Sequence, residues 1–169
     1  GASVSQGVES YIEIDLVKAF ASNEKFGSLS LFASNAFIDA KYSKWNNPAI
    51  AEDPLKSIKD KKVEYAPAYI HRFGATYSYK KFSSTIQYNT TAAVYTDAVN
   101  TELPNADATV GKLPAYQVID FNFSLRFLEN YNVKAGVNNL TDEKYATRRA
   151  GGYPGPGILP GNGRTVKLF

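Results

Sequence analysis

Six segments of this chain alternate apolar and polar residues with a period of two, and that alternation constrains the fold more than any other feature. Val4, Val8, Ile12, Ile14 and Leu16 oppose Ser5, Gly7, Glu9, Glu13 and Asp15, with Tyr11 the one aromatic on the polar side. Leu29, Leu31, Ala33 and Phe37 oppose Ser28, Ser30 and Ser34. Tyr69, Phe73, Ala75, Tyr77 and Tyr79 oppose Arg72, Gly74, Thr76, Ser78 and Lys80. Phe82, Ile86, Tyr88 and Val94 oppose Ser83, Thr85, Gln87, Asn89 and Thr91. The fifth run is the clearest: Ile119, Phe121, Phe123, Leu125 and Phe127 against Asp120, Asn122, Ser124 and Arg126. The sixth sets Tyr131, Val133, Ala135 and Val137 against Asn132, Lys134, Gly136 and Asn138, and residues 164–169 form a seventh stub. A period of two means strands with two unlike faces. At about ten residues they exceed the usual globular five or six and suit a tilted bilayer crossing.

The links between the runs are sorted by length. Tight turns at Lys80-Lys81 and Glu129-Asn130 alternate with long links rich in Asn, Asp, Pro and Gly; residues 19–26 are intermediate. Short turns at one end and long loops at the other are the pattern of transmembrane barrels, whereas a soluble sandwich has no reason to sort them. The sequence leaves open which face is outside. Strand length and sorted loops favour an outward apolar face and a wet interior.

Composition removes several other classes. The 169 residues contain no Cys, which excludes disulfides and thiolate chemistry, and a single histidine, His71, cannot build a His-rich metal site. The net charge of +3 is scattered rather than clustered, so a nucleic-acid partner has no support. No apolar run approaches the roughly 18 residues of a membrane helix. Twelve Tyr and ten Phe against one Trp are a palette for strands. No carboxylate pair, Ser-His-Asp set or metal-ligand spacing points to catalysis. Seven strands would place the chain ends on opposite sides of a membrane, and barrels of single bacterial chains have even strand numbers. The expectation is therefore an all-β chain of antiparallel transmembrane strands belonging to a larger barrel.

The stretch "VKAGVNNLTDEKYATRRAGGYPGPGILPGNGRT" resembles the C-terminal signature of TonB-dependent outer-membrane receptors: an "NNLTDEKY" element at residues 138–145, a last extracellular loop, and a "GRT" start to the final strand. "SLSLFASNAFIDAKYSKW" and "APAYIHRFGATYSY" resemble preceding strands of that family. The resemblance covers nearly all of residues 1–169 and places them in the C-terminal third of a 22-stranded barrel of the ferric-citrate or siderophore type, without plug domain, coupling box or signal peptide. It implies a non-enzymatic receptor in the bacterial outer membrane that takes up a ferric chelate. Its partners would be lipid, lipopolysaccharide, the barrel-assembly machinery and, through the plug, the TonB complex. No cofactor is implied, since iron would pass only as a bound chelate. One departure is that the last strand, "RTVKLF", is short, with Phe169 a suitable terminal aromatic but Lys167 where an apolar residue is expected. A small outer-membrane adhesin or structural barrel and a soluble lipocalin-like binding barrel remain as alternatives.

Four residues are candidates for contact with an anionic chelate. Arg148 and Arg149 offer bidentate guanidinium groups facing the medium; the plainer reading is solvated charges pairing with Asp142, Glu143 or lipopolysaccharide phosphates. Tyr153, in a "GGYPGPG" stretch that lacks the Lys-Ser/Thr of a nucleotide loop, stacks on a ligand or on a neighbouring loop. Pro154 and Pro156 stiffen that stretch while its glycines permit positive φ. Trp45 suits either the outer membrane interface or ligand stacking. His71 is expected to be structural, and Asp120 with Arg126 to join a charged ladder on the interior wall.

Overall fold

The computed structural model describes residues 1–20, 24–44, 53, 56–127, 131–153 and 155–169. Seven strands form one antiparallel sheet in chain order: β1 (Ala2–Asp15), β2 (Ser28–Lys44), β3 (Tyr69–Tyr79), β4 (Phe82–Thr91), β5 (Tyr116–Phe127), β6 (Tyr131–Asn138) and, after a two-stranded hairpin of β7 (Ala146–Ala150) and β8 (Gly157–Pro160), β9 (Thr165–Leu168). β1 and β9 are the sheet's two edges, and they do not pair with each other.

The alternating runs became the strands because their register keeps unlike residues apart. Ile14, Leu31, Ala75, Ile86, Phe121, Val137 and Val166 lie side by side across all seven strands on one face. One residue along, Glu13 and Phe32 are followed by Gly74, Gln87 and Asp120 on the other. Phe32 is one of the large apolar residues on the polar wall, and Gly74 admits it: a Cβ there would stand 2.2 Å from the Phe32 ring. The polar wall is cross-linked by its own side chains, Thr76 to Thr85 and Ser78 to Ser83, each at 3.0 Å.

The short turns are staggered, and the stagger gives the tilt. The last cross-strand pairs at that end are Asp15–Ser30, Tyr79–Phe82 and Phe127–Tyr131. The row through Asp15 and Ser30 continues to Thr76, Thr85 and Asn122. Each later turn therefore lies further along its strand, Tyr79 beyond Thr76 and Phe127 beyond Asn122. Turns lying on one level then require strands inclined by roughly 40°, from about 3.3 Å per residue and 4.8 Å per strand. Transmembrane barrels tilt their strands by about 35–45°. At that tilt β5 climbs about 25 Å between Gln117 and Phe127, the height of a barrel's apolar band.

Several details depart from the sequence reading. The link after β1 carries a five-residue helix, α1 (Leu16–Phe20), and a 3₁₀ turn, Glu24–Phe26. Asp15 caps α1 by accepting from the Val17 and Lys18 amides at 3.0 and 3.1 Å, and Ser28 donates to its other oxygen at 2.7 Å. β2 runs on to Lys44, seven residues past Phe37 (44 − 37). β4 stops at Thr91, and Val94 instead pairs with Leu113 as an isolated bridge between the two ends of its own loop. The last long loop contains the β7–β8 hairpin, which the sequence reading did not anticipate. Lys167 pairs with Gly136 and so stands on the polar wall with Asn138, while Val166 and Leu168 carry the apolar face. The lysine is therefore in its proper environment. Phe169 extends the same ladder, exchanging both backbone hydrogen bonds with Lys134 at 2.8 and 3.0 Å. The turn at Glu129-Asn130 lies outside the described residues.

Burial is inverted relative to a water-soluble sheet. Val8 is 68% exposed and Ile12 65%, and Phe37, Ile86 and Leu125 are likewise open on the apolar face. Among the described residues, the buried apolar ones, Ala40, Ile58, Ala92, Leu113 and Val118, gather at the long-loop end.

Candidate functional site

Three long links meet at that end, and hydrogen bonds tie them together. Residues 56–68 and 92–115 are joined at Asn100, whose side chain accepts from the Lys62 amide at 2.7 Å and donates to the Lys62 carbonyl at 2.8 Å. Tyr65 donates its amide to the Tyr95 carbonyl at 2.9 Å. Its hydroxyl lies 3.4 Å from both the amide nitrogen and the carbonyl oxygen of Arg149 in β7. Within residues 92–115 the Glu102 carboxylate accepts from the Tyr95 hydroxyl and from Lys112 Nζ at 3.1 Å, and Lys112 sits 5.0 Å from the Tyr95 ring centre. The Tyr95 hydroxyl, with help from Lys112, holds the Glu102 carboxyl below its ordinary range.

The "NNLTDEKY" element is the hinge between wall and loop. Asn139, 2% exposed, adopts a left-handed conformation (φ 53°). Its side chain accepts from the Glu143 amide at 2.8 Å and donates to the carbonyls of Glu143 and Asn162 at 3.0 and 3.1 Å. Its own amide donates to Asp120 at 2.9 Å. Asp142 then accepts from the Arg164 amide at 3.0 Å, closing the loop onto the start of β9; that bond, with the Lys144 ammonium beside it, lowers the Asp142 pKa. Tyr145 stacks on Tyr116, ring centres 4.3 Å apart, and Gly161 passes so close to Tyr145 that a Cβ would lie 2.2 Å from its ring. Below this hinge the polar wall forms a cavity of about 330 Å³ lined by residues including Asn89, Asp120, Asn139, Tyr145 and Lys167.

The candidate residues are distributed unevenly. Arg148 is exposed on β7 and Tyr153 is fully exposed at the hairpin's tip. Arg149, expected to face the medium, is only 7% exposed: it turns inward, donating Nε to the Gly111 carbonyl and Nη1 to the Ala108 carbonyl, both at 2.8 Å. Adjacent residues on a strand point to opposite sides, and the side of β7 that carries Arg149 packs on residues 92–115, so only Arg148 faces the medium. Trp45 and Pro154 lie outside the described residues. Asp120 is engaged by Asn89, at 3.0 Å, and by the Asn139 amide rather than by Arg126. His71 stands on the apolar face, stacked on Tyr69 at 4.8 Å with Phe37 edge-on at 5.0 Å. Among the described residues no group of His, Asp and Glu side chains is arranged to hold a metal ion.

Residues 1–140 match the family model of the TonB-dependent receptor-like β-barrel. The chain belongs to that family. Among solved structures it is similar to the ferric citrate transporter FecA in its unliganded form (TM-score 0.82, 20% identity, 98% of this chain and 23% of that one). It is similar also to the ferric yersiniabactin uptake receptor FyuA from Yersinia pestis (TM-score 0.71, 15% identity, 98% and 23%) and to the copper transporter OprC (TM-score 0.65, 22% identity, 97% and 22%). The chain thus spans less than a quarter of the length of each. No curated protein matches it significantly. In this TonB-dependent receptor sheet, the residues that sequence reading missed are Tyr65, Asn100, Ala108 and Gly111, which fasten the loops. Asn100 and Gly111 belong to the types that favour positive φ and so carried some signal; Ala108, at φ 52°, carried none.

Proposed function

We propose that this chain forms part of the wall and outer rim of a bacterial outer-membrane receptor that binds a ferric chelate and passes it inward under TonB control. The single observation supporting this most is the inverted burial: a tilted sheet with an open apolar face, a hydrogen-bonded polar wall and its fastened loops all at one end. An apolar face this extensive needs lipid. Unpaired sheet edges are not tolerated in lipid, so further strands pair with β1 and β9, and the family resemblance implies a closed barrel of 22. The domain reading is the C-terminal part of that barrel, with the plug supplied from elsewhere in the receptor. Lipid and lipopolysaccharide surround it, and the barrel-assembly machinery inserts it.

Arg148 and Tyr153 offer a cation and an aromatic plane to an anionic chelate, and Trp45, outside the described residues, is a further candidate for the same contact. Iron is cargo within the chelate, with no resident cofactor and no chemistry on it. The test is uptake of radioactive iron, supplied as citrate or as a catecholate or hydroxamate siderophore, by iron-starved cells carrying the complete receptor. TonB-dependent accumulation from one of these is expected, with Arg148→Ala combined with Tyr153→Ala raising the half-saturating concentration about tenfold at an unchanged receptor level. Accumulation no higher than in cells without the receptor, for every chelate, contradicts the reading.

A further inference from the structure

We propose that Arg149 is a positioning residue: it latches the β7–β8 hairpin onto residues 92–115, so that the surface bearing Arg148 and Tyr153 is fixed before any ligand arrives. Two atoms of one planar guanidinium, Nε and Nη1, reach two separate main-chain carbonyls, Gly111 and Ala108, at 2.8 Å each. Both acceptor residues have positive φ, 113° and 52°. Gly111 is pressed against Pro104, where a Cβ would stand 2.7 Å from its Cα, so glycine is required. The Asn105 carboxamide holds the intervening turn, accepting from the Thr109 and Val110 amides at 2.8 and 3.2 Å. The carbonyl cradle is thus built by short-range bonds independent of the arginine, and it receives a side chain from a different link.

The Tyr65 hydroxyl is the second fastening, because it meets the Arg149 backbone and ties residues 56–68 to the same strand. β7 alternation does the rest: with Arg149 locked inward, Arg148 is directed outward. A lysine cannot reproduce the latch, since a single ammonium lacks the two-pronged geometry that spans both carbonyls. The importance of the latch for ligand capture rests on the transport reading above, but the latch itself does not.

The experiment therefore uses no chelate. Residues 1–169 contain no cysteine. In the complete receptor, reconstituted in lipid bilayers, spin labels at Gly151→Cys and Ala106→Cys report the distance between the hairpin and the cradle loop. A single narrow distance distribution is expected. Arg149→Met broadens it at least twofold, Arg149→Lys gives an intermediate width, and Arg148→Met leaves it unchanged. A native-width distribution in Arg149→Met, in receptor whose barrel is folded by heat-modifiable gel migration, overturns the proposal. Should Arg149→Met fail to assemble, Arg149→Lys decides instead: native width overturns the latch and broadening supports it.

Discussion

The strand region and the loop region of this chain obey opposite rules of burial. Along the strands most large apolar side chains lie on the open face, and most polar ones face one another across the wall. At the loop end the order is that of a water-soluble protein, with Leu113 at 2% exposure beneath loops whose polar groups are satisfied by Asn100, Asn139 and Arg149. Each region is shaped by its own solvent. In lipid, apolar side chains need no core, and the backbone must be satisfied by the ladder. In water the loops must build a core and fasten themselves, because no lipid holds them.

That contrast can be broken with single substitutions. The largest effect is expected on the outward face near mid-band. Ile86→Lys should cost about 2–4 kcal/mol of folding free energy in bilayers, while Thr85→Lys, one residue along on the polar wall, should cost well under about 1 kcal/mol. Reversible denaturant titration of the complete receptor in lipid vesicles reads both, and equal costs would remove the distinction between the faces. A smaller and more local effect is expected at the hinge. Asn139→Ala leaves the Glu143 amide and two carbonyls without their partner, lowering the local opening free energy by about 3 kcal/mol, as read from hydrogen exchange at the Glu143 amide. Asn139→Asp, which keeps the acceptor and loses the donor, should fall between.

The smallest effect is a pH dependence. The Glu102 carboxyl titrates below its ordinary value because the Tyr95 hydroxyl and Lys112 favour its charged form. A depressed carboxylate contributes its tie when the pH is above the ordinary carboxylate pKa and loses it as the pH falls through the depressed value. Protection of the Lys112 amide, which donates to the Glu102 carbonyl at 3.3 Å, should therefore be flat from neutral pH down to the ordinary carboxylate range and decline only below it. Glu102→Gln should abolish that decline; a decline already present near neutrality would contradict this account of the tie.

The strands were legible because the period of two is written in side-chain type, and both a lipid face and a wet wall select strongly. Ile119 to Phe127 reads as a strand from five alternating residues alone. The loop region was much less legible. Its order depends on backbone conformations at Ala108, Asn139 and Gly111 and on which of two adjacent arginines turns inward, and hydropathy reports none of these. Lys167 shows the same limit from the other side. It looked misplaced when its position was counted from the chain end, and only the pairing with Gly136 assigns it to the polar wall. Asn139 had a visible signal, since Asn tolerates positive φ better than most residues, but the motif pointed to a family before it pointed to a hinge.

If this sheet crosses a bilayer, its apolar face meets lipid and its polar face meets water. The most direct measurement places spin labels singly along β4, residues 82–91, in the complete receptor in bilayers, and compares accessibility to oxygen with accessibility to a water-soluble nickel chelate. Strict alternation is expected, with oxygen favoured at Phe82, Ser84, Ile86 and Tyr88 and the nickel reagent at Ser83, Thr85, Gln87 and Asn89. The reverse phase, or no alternation, would contradict this assignment of the two faces.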